Sequence, residues 1–272
     1  MDFETIRVEA EPPIGRLTLD RPERLNAIGA TMMQELVEAA RWFDARPEVR
    51  VVIVAGKGRS FCAGADLRDS PVAMAHPDSG IDWARRREVG QYGLRMADAI
   101  EQMHALTIAR VHGHAVGGGV VLVAACDLRV VAEDAYFSIP EIDLGVPLAW
   151  GGIPRLVREI GPALTKELVI TCRPFTPAEA KAAGFVNRVV SADDLDAEVE
   201  ALAREIAAKP SVPVLITKEH VNSVTRSMGS GSTAFADGDV LLGTVFEPEA
   251  SQAMRDYAER TFGGKRGGDE SS

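Results

Sequence analysis

The chain has 272 residues, 46% of them hydrophobic and 26% charged, with a mean hydropathy of -0.01. That is the balance of an ordinary globular protein, and it excludes fibrous, collagen-like and disordered classes. Thirty Lys and Arg against 40 Asp and Glu leave a net charge of -10 and a pI near 5.1, so the bulk field repels nucleic acid and anionic membranes, and neither is expected as a partner.

In chain order, the acidic opening MDFETIRVEAEPP lacks the basic and apolar pattern of a signal peptide, and the expected location is cytoplasmic. Alternating Ile6 and Val8, then Ile14, Leu17 and Leu19, predict strands that stop at Asp20-Arg21-Pro22. Thr31 is placed to N-cap a helix with apolar positions Met33, Leu36, Val37, Ala40 and Phe43, and Arg46-Pro47 ends it before a continuous strand from Val49 to Ala55. Between Leu67 and Ile81, proline and glycine without periodicity predict a mobile surface loop bordering a pocket. A long helical pattern follows from Trp83 to His104, then a strand from Thr107 to Val111, a glycine-rich turn, an apolar helix to Cys126 and a strand from Leu128 to Ala132. Repeated strand, turn and helix with fully apolar strands predict an α/β fold around a mostly parallel, buried sheet. The longest uninterrupted run of apolar residues and glycine, Ala115 to Cys126, is well short of the roughly 18 residues that a membrane-spanning helix needs.

From Leu195 the pattern becomes helix after helix, with candidates at Leu195 to Ala208, Val214 to Thr225 and Ser251 to Thr261. The expected division is a core over residues 1–194, a C-terminal helical region over 195–262 and a disordered, glycine-rich tail over 263–272. Cys62, Cys126 and Cys172 lie far apart with no C-x-x-C spacing, so neither a disulfide framework nor a thiolate metal site is suggested, and an isolated cysteine in apolar sequence reads as a small buried hydrophobe.

The sequence has no G-x-x-x-x-G-K-[ST], no G-x-S-x-G and no H-E-x-x-H, which removes support for NTPase, serine hydrolase and zincin chemistry. Two small-residue turns remain, each expected after an apolar strand and before a helix: Ser60-Phe-Cys-Ala-Gly-Ala-Asp-Leu67 and His112-Gly-His-Ala-Val-Gly-Gly-Gly119. Glycine and alanine there let a ligand reach the main chain, and a helix N-terminus supplies unpaired N–H donors, so the pair of turns suits an oxyanion. A lone triple glycine would read as a packing device. His112 and His114 flank the second turn and read as structural residues bonded through their ring nitrogens.

On these residues the chain resembles the crotonase, or enoyl-CoA hydratase/isomerase, superfamily. The resemblance covers Arg21-Pro-Glu-Arg-Leu-Asn-Ala27, Gly56 to Leu67, Val111 to Asp127, Phe137-Ser-Ile-Pro-Glu141 through Gly151-Gly152 to Arg155, and Phe175-Thr-Pro-Ala-Glu-Ala180 through Gly184-Phe-Val-Asn187, in the family order. It implies a spiral of β-β-α units, a CoA thioester as substrate with no separate cofactor or metal, and homotrimers or dimers of trimers built partly through the C-terminal helices. By position, the backbone N–H groups of Ala65 and Gly118 would hold the thioester oxygen, each donor being worth roughly 3 kcal/mol to an enolate-like transition state. Arg24 and Leu25 match the loop beside the nucleotide, with Arg24 a local cation for an anionic ligand. Ala63, Asp66 and Leu67 match the turn that holds adenine and pantetheine.

The departures from the family pattern bear on the reaction. Hydratases of the family use two carboxylates; here the first position is Val121, one helical turn beyond Gly118, and only Glu141 is kept. Ala149 and Trp150 stand where hydratases have glycine or alanine, which implies a different acyl pocket. A single carboxylate is enough to take a proton from C2 of a 3-enoyl-CoA and return it at C4. Asp143 is the runner-up acid, because in extended backbone it would share a side with Glu141 and the resemblance places an aspartate there in dienoyl-CoA isomerases. The expected activity is double-bond isomerisation or hydration in fatty acid metabolism, by a lyase or isomerase. The alternatives are an acyl-CoA hydrolase, dehalogenase or decarboxylase on the same scaffold, and a non-catalytic acyl-CoA-binding protein.

Overall fold

Two strands, β1 (Ile6–Glu11) and β2 (Ile14–Leu19), pair antiparallel at the chain start, and every later strand of the main sheet joins in parallel. The computed structural model describes residues 2–69, 80–228, 236–244 and 247–262. Most of the loop expected between Leu67 and Ile81, and the tail from residue 263, lie outside the described residues.

The main sheet runs β1-β2-β3-β4-β6-β8, with β3 (Val51–Gly56), β4 (Leu106–Val111), β6 (Leu128–Ala132) and β8 (Arg188–Val190). Its unbroken apolar strands have a simple cause: both faces are covered. Val52, Val54, Ala109 and Val131 pack toward α1 (Ala30–Asp44), α3 (Tyr92–Glu101) and α4 (Gly118–Ala125), whereas Val51, Ile53, Ile108 and Val130 pack toward α7 (Leu195–Ala207). The helical stretch expected to begin a separate region at Leu195 therefore starts inside the packed core, because α7 buries Leu195, Val199, Leu202 and Ala203 on the second face of the sheet.

A second, two-stranded parallel sheet pairs β5 (His114–Val116) with β7 (Tyr136–Ser138). The β-β-α repeats continue with α5 (Gly152–Thr171) and α6 (Pro177–Ala182), and the chain closes with α8 (Ser211–Met228), α9 (Asp237–Thr244) and α10 (Pro248–Phe262). No helix among the described residues is long and apolar enough to cross a membrane.

Two local expectations are corrected by long-range contacts. Thr31 does not cap α1; the helix starts at Ala30, whose N–H donates to Asp69 O at 3.1 Å, so the cap comes from the turn after Asp66. The continuous helix expected from Trp83 to His104 is two helices, α2 (Trp83–Gly90) and α3, broken at Gln91. Gly90 and Gly93 lie at that break, and Gly238 and the Trp150 ring come close to them.

Candidate active site

The two small-residue turns are neighbours in space. Cys62 pairs with Ala115 in an isolated parallel bridge, through Cys62 N–H to His114 O at 2.9 Å and Val116 N–H to Cys62 O at 3.0 Å. Gly64, at φ +93°, then faces the second turn so closely that a Cβ would lie 2.7 Å from Val116 O.

The first turn is fastened by the chain just after β2. Ile28 N–H donates to Gly64 O at 2.8 Å and Asp66 N–H to Ile28 O at 2.9 Å, which turns the N–H of Ala65 away from that bridge. Gly118 is the first residue of α4, where backbone N–H groups have no partner inside the helix. Neither N–H has a hydrogen-bond partner among the described residues, and both residues line one cavity of about 610 Å³.

Glu141 is brought to the same cavity by β7. Val116 pairs with Ser138 and Gly117 N–H donates to Ser138 O at 2.9 Å, so the Pro140-Glu141 segment emerges beside the donor turn. Its carboxylate rests on Gly117, at φ +50°, where a Cβ would collide with Oε1 and lie 3.2 Å from Cδ. Oε2 is buried without a hydrogen-bond partner among the described residues. Burial pushes the carboxyl pKa up to about 7, against a smaller opposing hydrogen bond from its own backbone N–H.

Residues 141–146 form successive tight turns, with Val146 N–H donating to Glu141 O at 3.0 Å and Gly145 N–H to Ile142 O at 2.9 Å. The extended backbone that would have put Asp143 beside Glu141 is therefore absent. Asp143 is exposed and does not line the cavity.

The three consecutive glycines divide their work. Gly117 makes room for the carboxylate, Gly118 for the Trp150 ring, and Gly119 for Cys62 O, 2.6 Å from where a Cβ would sit. The turn is therefore a packing device as well as the place of an N–H without a partner among the described residues. Val121, Ala149 and Trp150 are buried and line the cavity, so this part of its wall is apolar.

Arg24 is exposed and Leu25 is half-buried, at φ +51°. The two CoA-matching segments are tied together, since Ala63 N–H donates to Leu25 O at 2.9 Å. Ala63 and Leu67 line the cavity, whereas the Asp66 carboxylate is engaged elsewhere, accepting from Arg21 Nη2 at 2.9 Å and Arg68 N–H at 3.1 Å. Burial alone would raise the Asp66 pKa; the Arg68 N–H and the Arg21 guanidinium outweigh it and hold the carboxyl below its ordinary value.

Residues outside the expected site hold it in shape. Asn26, fully buried at φ +57°, accepts from Arg21 N–H at 2.9 Å and donates to Lys57 O at 2.9 Å and Ser60 O at 2.8 Å. Helix α10 also reaches the cavity, with Ala250, Met254, Tyr257 and Ala258 on its lining face. Their i, i+4, i+7, i+8 spacing marks an apolar face in the sequence but says nothing about what that face covers.

His112 and His114 serve structure. Nε2 of His112 bonds Gly58 O at 2.7 Å and its Nδ1 faces Arg110 Nη1 at 2.7 Å, with burial first and then Arg110 holding its pKa below the ordinary value. His114 Nδ1 lies 3.0 Å from Ser60 Oγ. Cys62 and Cys126 are buried thiols pushed up to about 12 by burial, which suits packing rather than nucleophilic attack.

The chain is similar over most of its length to known proteins. A family model described as enoyl-CoA hydratase/isomerase matches residues 9–262. The chain is 37% identical over 231 residues to a probable enoyl-CoA hydratase of Mycobacterium tuberculosis, covering 84% of each. It is 36% identical over 221 residues to a peroxisomal Delta(3,5)-Delta(2,4)-dienoyl-CoA isomerase of Arabidopsis thaliana, covering 79% of this chain and 80% of the relative. Among solved structures, an enoyl-CoA hydratase/isomerase from Xanthobacter autotrophicus Py2 superposes with a TM-score of 0.84 at 28% identity, over 96% of this chain and 94% of that one.

Proposed function

Because the chain belongs to the enoyl-CoA hydratase/isomerase family and is an enzyme acting on acyl-CoA thioesters, we propose that it moves a carbon–carbon double bond, with Glu141 as its single proton carrier. The observation that carries this reading is the buried, unpartnered Oε2 of Glu141 on the edge of a cavity that also contains the two unused backbone donors.

In this mechanism the thioester oxygen accepts from Ala65 N–H and Gly118 N–H. Glu141 removes a proton from C2 of a 3-enoyl-CoA, and the electron pair moves onto the thioester oxygen as an enolate held by the two donors. The same carboxylic acid then returns the proton at C4 as the double bond settles between C2 and C3. A pKa near 7 suits both halves of the shuttle, since a much weaker base would stall the abstraction and a much weaker acid would stall the return. The steps need only proton transfer, so the CoA of the substrate is the one cofactor-like group involved.

Hydration would need a second group to hold water, and Val121 with Trp150 makes the corresponding wall apolar. Isomerisation is therefore the favoured reaction of the two. Arg24, Leu25, Ala63 and Leu67 are assigned to the CoA portion, with Asp66 acting through the shape of the turn.

The working assembly is a homotrimer or a dimer of trimers in the cytoplasm. Supporting it, α8 is fixed to the core by buried Lys218, which donates to Ala105 O at 2.8 Å and Asp127 Oδ2 at 2.7 Å. The same helix leaves Val212, Ile216, Val221 and Val224 between 46% and 63% exposed, an apolar surface suited to another subunit.

The test is product analysis on 3-enoyl-CoA and 2-enoyl-CoA with the wild type and Glu141→Gln. Isomer formation that falls by about 10²-fold or more in the variant, with thioester binding kept, is the expected result. Undiminished turnover in Glu141→Gln removes Glu141 from the mechanism.

A further inference from the structure

Trp150 sits in an unusual place for a large side chain. Its backbone is at φ +59°, in the left-handed region that is unfavourable for a bulky residue, and Gly151 follows at φ +71°. The corner is held from two sides. Arg155, buried and paired with Asp98 and Glu101, donates to Gly151 O at 3.2 Å, and Asp237 Oδ2 of α9 accepts from Gly151 N–H at 2.8 Å. Strain kept in place by its surroundings is a common mark of a functional position.

The ring itself fills the gap between α3 and α4. A Cβ on Gly118 would collide with Cζ3 and lie 2.7 Å from Cη2, while a Cβ on Gly93 would lie 2.5 Å from Cδ2. Val121 and Leu148 complete the wall, both lying 2.9 Å from where a Cβ on Gly152 would be. A thioester oxygen bonded to Gly118 N–H at an ordinary 2.9 Å or so places the next acyl carbons within a few ångström of the ring edge. The same cavity is also lined by Leu241 of α9 and by Ser251, Met254, Arg255, Tyr257 and Ala258 of α10.

We propose that Trp150 determines acyl specificity: it closes the path between α3 and α4, routes the acyl chain along α10, and selects acyl groups that are slender at the carbons next to the thioester. This rests on the thioester site formed by Glu141 and the two donor turns. Substituents at C2, or a ring attached to the carbonyl, would meet the indole edge, whereas an unbranched chain passes between it and Glu141 toward Met254. The residue acts on substrate shape and takes no part in proton transfer.

The test is calorimetric titration of the full chain with free CoA, butyryl-CoA, octanoyl-CoA and cyclohexanecarbonyl-CoA. The wild type should bind the two linear thioesters at least about tenfold more tightly than the cyclic one, the scale on which apolar pockets discriminate. Trp150→Gly suits the positive φ, and should bring that ratio to within about threefold while leaving free CoA binding unchanged. Met254→Trp should weaken octanoyl-CoA by about tenfold or more and spare butyryl-CoA. Trp150→Phe, which keeps an apolar ring in the core, should give an intermediate ratio and replaces the glycine variant if that one does not fold. A linear-to-cyclic ratio unchanged in a folded Trp150 variant, or octanoyl-CoA binding untouched by Met254→Trp, overturns the routing. Acyl-CoA binding no tighter than free CoA in the wild type would instead overturn the thioester site on which it rests.

Discussion

The carboxylate of Glu141 lies directly on the Cα of Gly117, with the side-chain Cδ only 3.2 Å from where a Cβ would be. The candidate base and the turn that carries the Gly118 donor are therefore one packed unit. Positioning of a general base depends on such contact, since a shift of about 1 Å can cost 10²-fold in rate.

Gly117→Ala follows from that contact. The new methyl would strike Oε1 and stand at φ +50°, so the carboxylate must move. Turnover should fall by about 10²-fold with a smaller change in acyl-CoA affinity, and stability should drop by about 1–2 kcal/mol. Steady-state kinetics beside calorimetric Kd values would show the split; equal loss in both would point to a collapsed turn instead.

The pH dependence should be set by Glu141. Its carboxyl is raised from an ordinary 4.5 to about 7, and the base must be ionised, so kcat/KM should climb about tenfold per pH unit up to about pH 7 and then level. The folded state binds the proton more tightly than the unfolded one, so this group's contribution to stability is present below about pH 4.5 and is lost as pH rises to about 7. The loss is at most about 3 kcal/mol, and Glu141→Gln should abolish it. Denaturant unfolding at pH 5 and pH 8 for both proteins measures the difference.

Val121→Glu places a carboxylate at a position 1% exposed, beside Leu148 in the cavity that Trp150 also lines. Burying it should destabilise the fold by about 2–4 kcal/mol or leave it protonated at neutral pH. Any gain in hydration of 2-enoyl-CoA should be small and should grow with pH. A robust hydratase created by this substitution alone would show that Trp150 leaves more room for water than its packing allows.

Asn26→Ala strips three hydrogen bonds from the turn that backs the first donor segment. Lys57 O, Ser60 O and Arg21 N–H would lose their partner, and alanine is disfavoured at φ +57°, so a cost of about 2–4 kcal/mol is expected. Acyl-CoA affinity should fall more than turnover at saturation, because the turn carries the CoA-side residues. Thermal melts and kinetics together test this.

The apolar surface of α8 predicts a closed assembly. Light scattering should give a trimeric or hexameric mass, and Ile216→Asp, at a position 56% exposed in the single chain, should shift it toward monomers with little effect on the fold of each. A wild-type monomer at micromolar concentration would contradict the assembly.

Neighbouring residues encode the local features of this chain. The apolar strands, the two small-residue turns and the Pro-Glu segment are all local, because backbone reach, helix phase and side-chain chemistry depend on residues a few positions apart. The structure added what depends on partners far along the chain. Asp69 caps α1 in place of Thr31, the tight turns after Glu141 aim Asp143 at solvent, and α7 covers the sheet instead of starting an appendage. The same holds for the Trp150 ring, which reaches Gly118 and Gly93 across two helices, and for the face of α10 that closes the cavity. An amphipathic pattern states that a face will be buried, but the choice of what it is buried against is made by the packing of the whole chain.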